Sequence, residues 1–306
     1  MLFNPAARKL MKFLTVIGFI LTSTCFSTIA YAQSTPESTQ KVALVTGSTS
    51  GLGRAVALRL GAMDYFVIVH GRNRERGMEV VKEIEDSGTG GARFYGADLG
   101  SFDQVREFGA AVLNDFDRLD VLINNAGIGS APAQRLLSED GHELRFQVNH
   151  LSHFLLTHLL LPLLRDSSPS RIVNVSSGAQ QAIDFDDVML EKNFSGRRAY
   201  AQSKLAQILF TIDLAENLMA EDILVNTLHP ATLMDTGMVR RSGARPRATI
   251  AEGADAVMQL VIAADIGSGN YFSRQRSVRA NRQAYDAAAR ARLWALSEEL
   301  TGLARE

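Results

Sequence analysis

The chain carries a single cysteine, Cys25, in 306 residues. One thiol supports neither an internal disulfide framework nor a multi-thiolate metal site. An excess of either charge is also missing: 32 Lys and Arg face 33 Asp and Glu, for a formal net charge of -1. With only 7% aromatic residues as well, that balance leaves no basic footprint for nucleic acid and no acidic tail. A small molecule is the expected partner, and nucleic acid is not.

Long apolar runs are scarce. The run Phe13 to Leu21 is followed by Thr22, Ser23, Thr24, Ser27 and Thr28, whereas a spanning helix needs about 20 mostly apolar residues. Arg8, Lys9 and Lys12 precede it and Ala30-Tyr31-Ala32 supplies the small residues of a cleavage site. Residues 1–32 therefore read as a signal peptide, with a membrane anchor as the alternative. An exported or periplasmic protein, or one associated with a membrane through its N-terminus, follows from that reading; a cytoplasmic one follows if the true start lies downstream. Residues 33–40 form a polar linker, and residues 41–306 one folded domain, for which 46% hydrophobic residues supply a sizeable core.

What the domain does contain is a repeated strand-turn-helix pattern. Lys41 to Thr46 is a short β-branched run, and Gly47-Ser-Thr-Ser-Gly51-Leu-Gly53 turns it into a helix over Arg54 to Leu60. Glycines at such a turn let the backbone approach a pyrophosphate, whose charge the helix N-terminus stabilises. Further strands are expected at Tyr65 to His70, Ala92 to Ala97, Leu119 to Asn124, Arg171 to Val175 and Ile223 to Leu228. Helices are expected between them, including a long one from Ser138 to Leu164. This alternation predicts a Rossmann-type α/β fold, a doubly wound parallel sheet in three layers within a single domain. Tyr271-Phe272 adds a short strand between two C-terminal helices, with Trp294 in the core.

Several absences sharpen the chemistry. An acid normally ends the second strand and binds a ribose 2′-hydroxyl, but His70, Gly71 and Arg72 stand there. Arg72 offers a planar fork of donors suited to a 2′-phosphate, so NADP(H) is preferred over NAD(H). Asp98 ends the third strand, where it can accept a bond from adenine or cap the helix that starts near Ser101. A serine-hydrolase elbow is missing too, because Asn174 occupies the place of its first glycine before Ser176-Ser177. His150, His153 and His158 form no metal-ligand spacing and read as helix-surface side chains. The stretch from Leu233 to Arg247 is polar and glycine-containing, as a lid over a site would be.

Tyr200 and Lys204 lie one helical turn apart on one face. An ammonium beside a phenol lowers its pKa from near 10 by about 1 to 3 units, which suits general acid/base work.

The ordered set Thr46-Gly-x3-Gly-x-Gly53, Asn124-Asn-Ala-Gly127, Asn149, Ser177 and Tyr200-x3-Lys204 resembles the short-chain dehydrogenase/reductase superfamily. Gly71-Arg-Asn73, the run Asn149 to Thr157 and Gly269-Asn-Tyr-Phe272 are similar to its retinol-dehydrogenase and WW-domain-oxidoreductase-like branch. The resemblance implies an oxidoreductase acting on an alcohol or carbonyl, lipophilic ones included, with Asn149, Ser177, Tyr200 and Lys204 as its catalytic set. In that set Ser177 orients the substrate oxygen, and Asn149 holds the water and backbone of a proton relay. It further implies that Gly47, Ser48, Gly51, Leu52 and Gly53 cradle the pyrophosphate and that Arg72 and Asn73 bind the phosphorylated ribose. Asp98, Leu99, Asn125, Ala126, Gly127 and Val148 would line the adenine and ribose side, and Pro230 and Thr232, with Tyr200 and Lys204, the nicotinamide end. Ala231 departs from the family, which usually has glycine after this proline. A homodimer or homotetramer paired through the helices of Asn149 and Tyr200 is implied as well. The competing reading is a catalytically silent NADP(H)-binding sensor or scaffold of the same fold.

Overall fold

Strands and helices alternate along the first half of the domain: β1 (Val42–Val45), α1 (Gly51–Ala62), β2 (Phe66–Gly71), α2 (Arg74–Asp86), β3 (Ala92–Gly96), α3 (Phe102–Asp115) and β4 (Val121–Asn124). The second half continues with α4 (Leu144–Phe146), a π segment (Gln147–Leu151), α5 (Ser152–Asp166), β5 (Ser170–Val175), α6 (Gly196–Asn217) and β6 (Ile223–His229). It closes with α7 (Gly237–Arg241), α8 (Ile250–Ile262), β7 (Tyr271–Ser273), β8 (Arg276–Ser277), a 3-10 turn (Arg282–Tyr285) and α9 (Ala287–Thr301). The computed structural model describes residues 34–303 apart from 38 and 89, so the leader reading of residues 1–32 lies outside the described residues. Among those described, no helix is long and apolar enough to cross a membrane.

The strands lie in the order β3-β2-β1-β4-β5-β6-β7-β8, parallel except for β8, which runs antiparallel to β7. Strand β1 shows why three layers form. It sends Val42 and Leu44 into a core with Phe102 of α3, Phe154 of α5, Leu205 of α6 and Leu293 of α9. Its alternate residues Ala43 and Val45 enter a second core with Val56 of α1, Val80 of α2 and Val257 of α8. A strand covered on both faces must be apolar throughout, and β1 is. The chain order reverses between β1 and β4, which opens a crevice beyond their carboxyl ends.

Three expectations change. The long helix does not begin at Ser138: Gly141 takes φ 83°, Leu137 pairs with Glu143, and helix starts only at Leu144. Within it the π segment inserts one extra residue per turn around Asn149. An eighth strand, β8, is present; two residues are too few to carry a sequence period. Part of the expected linker lies on the domain, with Ser34 Oγ donating to Ala92 O at 3.0 Å and Arg93 donating to Ser34 O at 3.1 Å. Trp294 packs as expected, edge-on to Phe154 with ring centroids 5.2 Å apart.

The histidines read as surface residues are mostly inside. His150 and His153 are buried, as is His70, whose ring stacks on Phe108 at 4.7 Å. Burial holds His70 down at about 4 and His150 and His153 at about 3. The folded chain keeps all three neutral, whereas the unfolded chain protonates them below the ordinary value. Stability is therefore lost as pH falls from about 6.5 toward those folded values, by about 1.4 kcal/mol per unit for each ring. Melting temperatures at about pH 7 and about pH 5 should differ by roughly 10 °C or more. In His150→Gln that difference should shrink by about a third, and an unchanged difference would remove His150 from the account.

Candidate active site

The crevice is built by two interlocked turns. Thr46 Oγ1, buried at the end of β1, accepts the N–H groups of Asn125 and Ala126, both at 2.9 Å. Asn125 Nδ2 in turn donates to the carbonyls of Thr46 (2.8 Å) and Gly47 (3.3 Å). A Cβ on Gly53 would come within 2.4 Å of Gly47 O, and one on Gly47 within 2.9 Å of Ala126 Cα, so this approach requires glycine.

The amides divide differently from the sequence expectation. Gly47 N–H donates to His70 Nδ1 at 3.2 Å and Ser48 N–H to His70 O at 2.9 Å. These two residues shape the turn and do not offer their amides to a ligand. Ser50, the N-cap of α1, makes no side-chain capping bond, which leaves the N–H groups of Gly51, Leu52 and Gly53 without intrahelical acceptors. A pyrophosphate fits those donors at the positive end of the helix.

At the end of β2 the Arg72 side chain is largely exposed, with Nη1 3.3 Å from Asp98 Oδ2. A Cβ on Gly71 would sit 3.0 Å from Thr49 Oγ1, so that hydroxyl shares the corner. Asn73 uses its Oδ1 to cap α2 through Arg76 N–H at 2.8 Å. Asp98 does not cap α3. Its Oδ1 accepts Gly100 N–H at 2.9 Å, while the first N–H of α3, on Phe102, goes to Asp140 at 2.9 Å. Leu99 and Val148 are buried against the same core.

Asn149 clamps the turn after β4: its Oδ1 accepts Ile128 N–H at 2.8 Å and its Nδ2 donates to Ile128 O at 3.1 Å. The half-buried Tyr200 hydroxyl is hydrogen-bonded to Ser177. Ser177 is held in turn by the Tyr271 hydroxyl, which donates to its carbonyl at 3.1 Å. Lys204 lies close by, with Nζ 3.5 Å from where a Gly127 Cβ would be.

One electrostatic expectation is corrected. Burial pushes the Tyr200 phenol above its usual value, and the Ser177 hydrogen bond opposes that without reversing it. Lys204 does not lower it in this arrangement. Its Nζ donates to Val175 O at 2.9 Å and Gln207 Oε1 at 2.7 Å, and burial holds the amine itself down at about 7.

Pro230 and Thr232 follow β6, with Thr232 Oγ1 3.0 Å from His229 Nε2 and the intervening Ala231 buried. Residues 233–247 contain α7 and return on themselves through Arg247 N–H to Leu233 O at 2.9 Å. Met238 lies against Gly129 and Thr236 against Gly51, so the segment covers both turns of the crevice.

Several side chains that build the site carried no sequence assignment. Gln207 stands three residues after Lys204 and His153 four after Asn149, spacings that put each pair on one helix face. Helical periodicity could have found those two. Tyr271 lies in the Gly269-Asn-Tyr-Phe272 run, but its bond to Ser177 spans distant parts of the chain, and no local pattern marks Arg145, which bonds the loop after β4.

Fold and crevice together define a nicotinamide-type oxidoreductase. Residues 41–247 match the short chain dehydrogenase family, and the chain belongs to that family, as an enzyme acting on CH–OH groups. It is 39% identical over 294 residues to retinol dehydrogenase 14 of Mus musculus, with 86% of each chain covered. To polyprenol dehydrogenase of Danio rerio it is 35% identical over 290 residues, covering 88% of this chain and 89% of the relative. Among solved structures, the Pseudomonas aeruginosa RhlG/NADP active-site complex superposes with a TM-score of 0.62 at 28% identity, covering 76% of this chain and 94% of that one. The resemblance to the retinol dehydrogenases thus holds over most of the chain.

Proposed function

We propose that the protein is an NADP(H)-dependent oxidoreductase that interconverts a lipophilic alcohol and its carbonyl partner, with Tyr200 as the acid and base. The observation that carries this reading is the Tyr200 hydroxyl bonded to Ser177, one turn from Lys204, in a fold whose α1 begins with unbonded N–H donors. Ser177 orients the substrate oxygen by hydrogen bonding. Tyr200 gives its proton to that oxygen in reduction and removes it in oxidation. Its raised pKa keeps the phenol protonated and ready to donate in the free enzyme. When bound, the nicotinamide supplies or accepts the hydride. Lys204 has three N–H donors, two of which the protein uses, and the third serves a ribose hydroxyl. Asn149 keeps the backbone of the proton relay in place.

The phosphorylated cofactor is supported by Arg72 and Thr49 at the corner where no carboxylate meets the ribose, and by the NADP in the RhlG complex. A lipophilic substrate is supported by the retinol and polyprenol in the relatives' names, and by Leu136 and Leu137 standing exposed after β4.

Purified protein should oxidise NADPH in the presence of a lipophilic aldehyde or ketone from a graded panel, and NADH far more slowly. Tight NADPH binding with no turnover across the panel would favour the silent sensor. Removing the guanidinium in Arg72→Leu should weaken NADPH binding by about 10- to 100-fold, the worth of hydrogen bonds to a charged group. NADH binding should change by less than about twofold, because it presents nothing for that fork to hold. Equal losses for both cofactors would show that Arg72 acts on the fold of the loop instead.

A further inference from the structure

Lys204 sits among fully buried neighbours. The ammonium donates to Gln207 Oε1 at 2.7 Å and to Val175 O at 2.9 Å, and Gln207 is itself 1% exposed. No carboxylate forms an ion pair with Lys204 among the described residues. Such a cation depends on uncharged acceptors, and of the two only Gln207 is a side chain.

The amide has close neighbours. Gln207 Nε2 lies 3.5 Å from Nδ1 of His153, and the Gln207 backbone carbonyl accepts the Thr211 hydroxyl at 2.7 Å. His153 is fixed by its other partners. Thr46 Oγ1 already accepts two backbone N–H groups, and its own proton goes to the nearer acceptor, His153 Nε2 at 3.1 Å, in preference to Ile123 O at 3.4 Å. That leaves His153 Nδ1–H to donate to Asn149 O at 3.1 Å. The buried ring therefore links the phosphate-side turn, through Thr46, to the backbone of Asn149. The Gln207 amide presents its oxygen to the ammonium, since its NH2 group there would place donor against donor.

We propose that Gln207 is a positioning residue for the hydride-transfer site: its amide oxygen holds the Lys204 ammonium beside the Asn125-Ala126-Gly127 turn, with one N–H left for the cofactor ribose. The proposal rests on the oxidoreductase reading above and adds to it a side chain that touches neither substrate nor cofactor. Charge is the second consequence. Burial favours the neutral amine, and an acceptor on the ammonium favours the cation, so loss of Gln207 lowers the pH at which Lys204 gives up its proton. The titratable groups facing it are Tyr200 on its own helix and His153 on α5.

The test follows Lys204 in the cofactor-free, full-length protein. The chain has six lysines, Lys9, Lys12, Lys41, Lys82, Lys192 and Lys204, few enough to resolve by NMR of side-chain-labelled lysine. In Gln207→Leu the Lys204 midpoint should fall by about one unit, and NADPH affinity at neutral pH should weaken by about fivefold as the charged fraction drops. Gln207→Glu keeps an acceptor at the same reach and adds charge, so its midpoint should rise above that of the wild type. A midpoint that stays put in either variant overturns the proposal. If Gln207→Leu does not fold, the Glu variant alone decides. Because the titration is read without cofactor or substrate, it stands or falls separately from Tyr200→Phe, whose full activity would sink the acid/base reading and leave the Lys204 result untouched.

Discussion

Replacing Tyr200 by Phe is expected to lower kcat for carbonyl reduction by about 10²- to 10⁴-fold, the span that a positioned acid contributes. The substitution removes one oxygen and keeps the ring, so the packing of α6 is preserved. What is lost is the proton for the substrate oxygen, together with the hydrogen bond to Ser177. Cofactor affinity should change by less than about threefold, because the α1 donors and Arg72 are untouched. Single-turnover hydride transfer at saturating NADPH separates these effects. A rate within about tenfold of the wild type would mean that another group delivers the proton. Ser177 is then the nearest hydroxyl, and Ser177→Ala on the Phe background identifies or excludes it.

Arg145→Met should have the largest effect on stability. The guanidinium is 1% exposed and pairs with Glu143, also 1% exposed, at 3.1 Å. Its other donors reach the carbonyls of Gly129 (2.9 Å), Ser130 (3.2 Å) and Pro132, so one side chain fastens the loop after β4. That loop in turn presses on the start of the Tyr200 helix, where a Cβ on Gly196 would strike Ser130 O. Methionine fills much of the volume but leaves Glu143 buried with backbone N–H groups as its charge-stabilising partners, that of Phe146 at 2.8 Å foremost. Burial already pushes the Glu143 carboxyl up, and without Arg145 it must rise further or stay charged at a cost. Breaking a buried pair from one side costs about 3 to 5 kcal/mol. For a domain of this size that corresponds to a fall in Tm of roughly 6 to 20 °C. Glu143→Gln on the same background should recover part of the loss, since the orphaned charge is then gone. The folded variant should also show a raised KM for the carbonyl with an unchanged Kd for NADPH, because Arg145 bonds Gly129, Ser130 and Pro132 and not the Asn125-Ala126-Gly127 turn. A loss below about 1 kcal/mol would show that water or a rearranged loop replaces the guanidinium.

The motifs near the crevice were legible because each depends on local spacing. Gly47, Gly51 and Gly53 mark a turn whose backbone tolerates no Cβ, and Tyr200 and Lys204 share a helix face by periodicity alone. The π segment around Asn149 was not legible. Its sequence reads as ordinary helix, and the extra residue is set by the clamp on Ile128 from another part of the chain. Two buried histidines, His150 and His153, were misjudged for a related reason. A histidine on an amphipathic helix looks like a surface residue until the opposite layer is known, and here α9 covers His150 through Ser297 at 2.9 Å.

By itself the sequence determined the alternation of strands and helices, hence the three-layer sheet, and the side chains proposed for proton transfer and cofactor binding. These follow from short-range rules: period, turn chemistry and the reach of neighbours on one helix. Only the tertiary structure decided which amides stay free and where the Lys204 ammonium points. It also decided that the Tyr200 phenol is raised and not lowered. Those outcomes depend on which groups from distant segments remove water and fill donors, and burial and hydrogen-bond saturation are properties of the packed layers that no local stretch of chain contains.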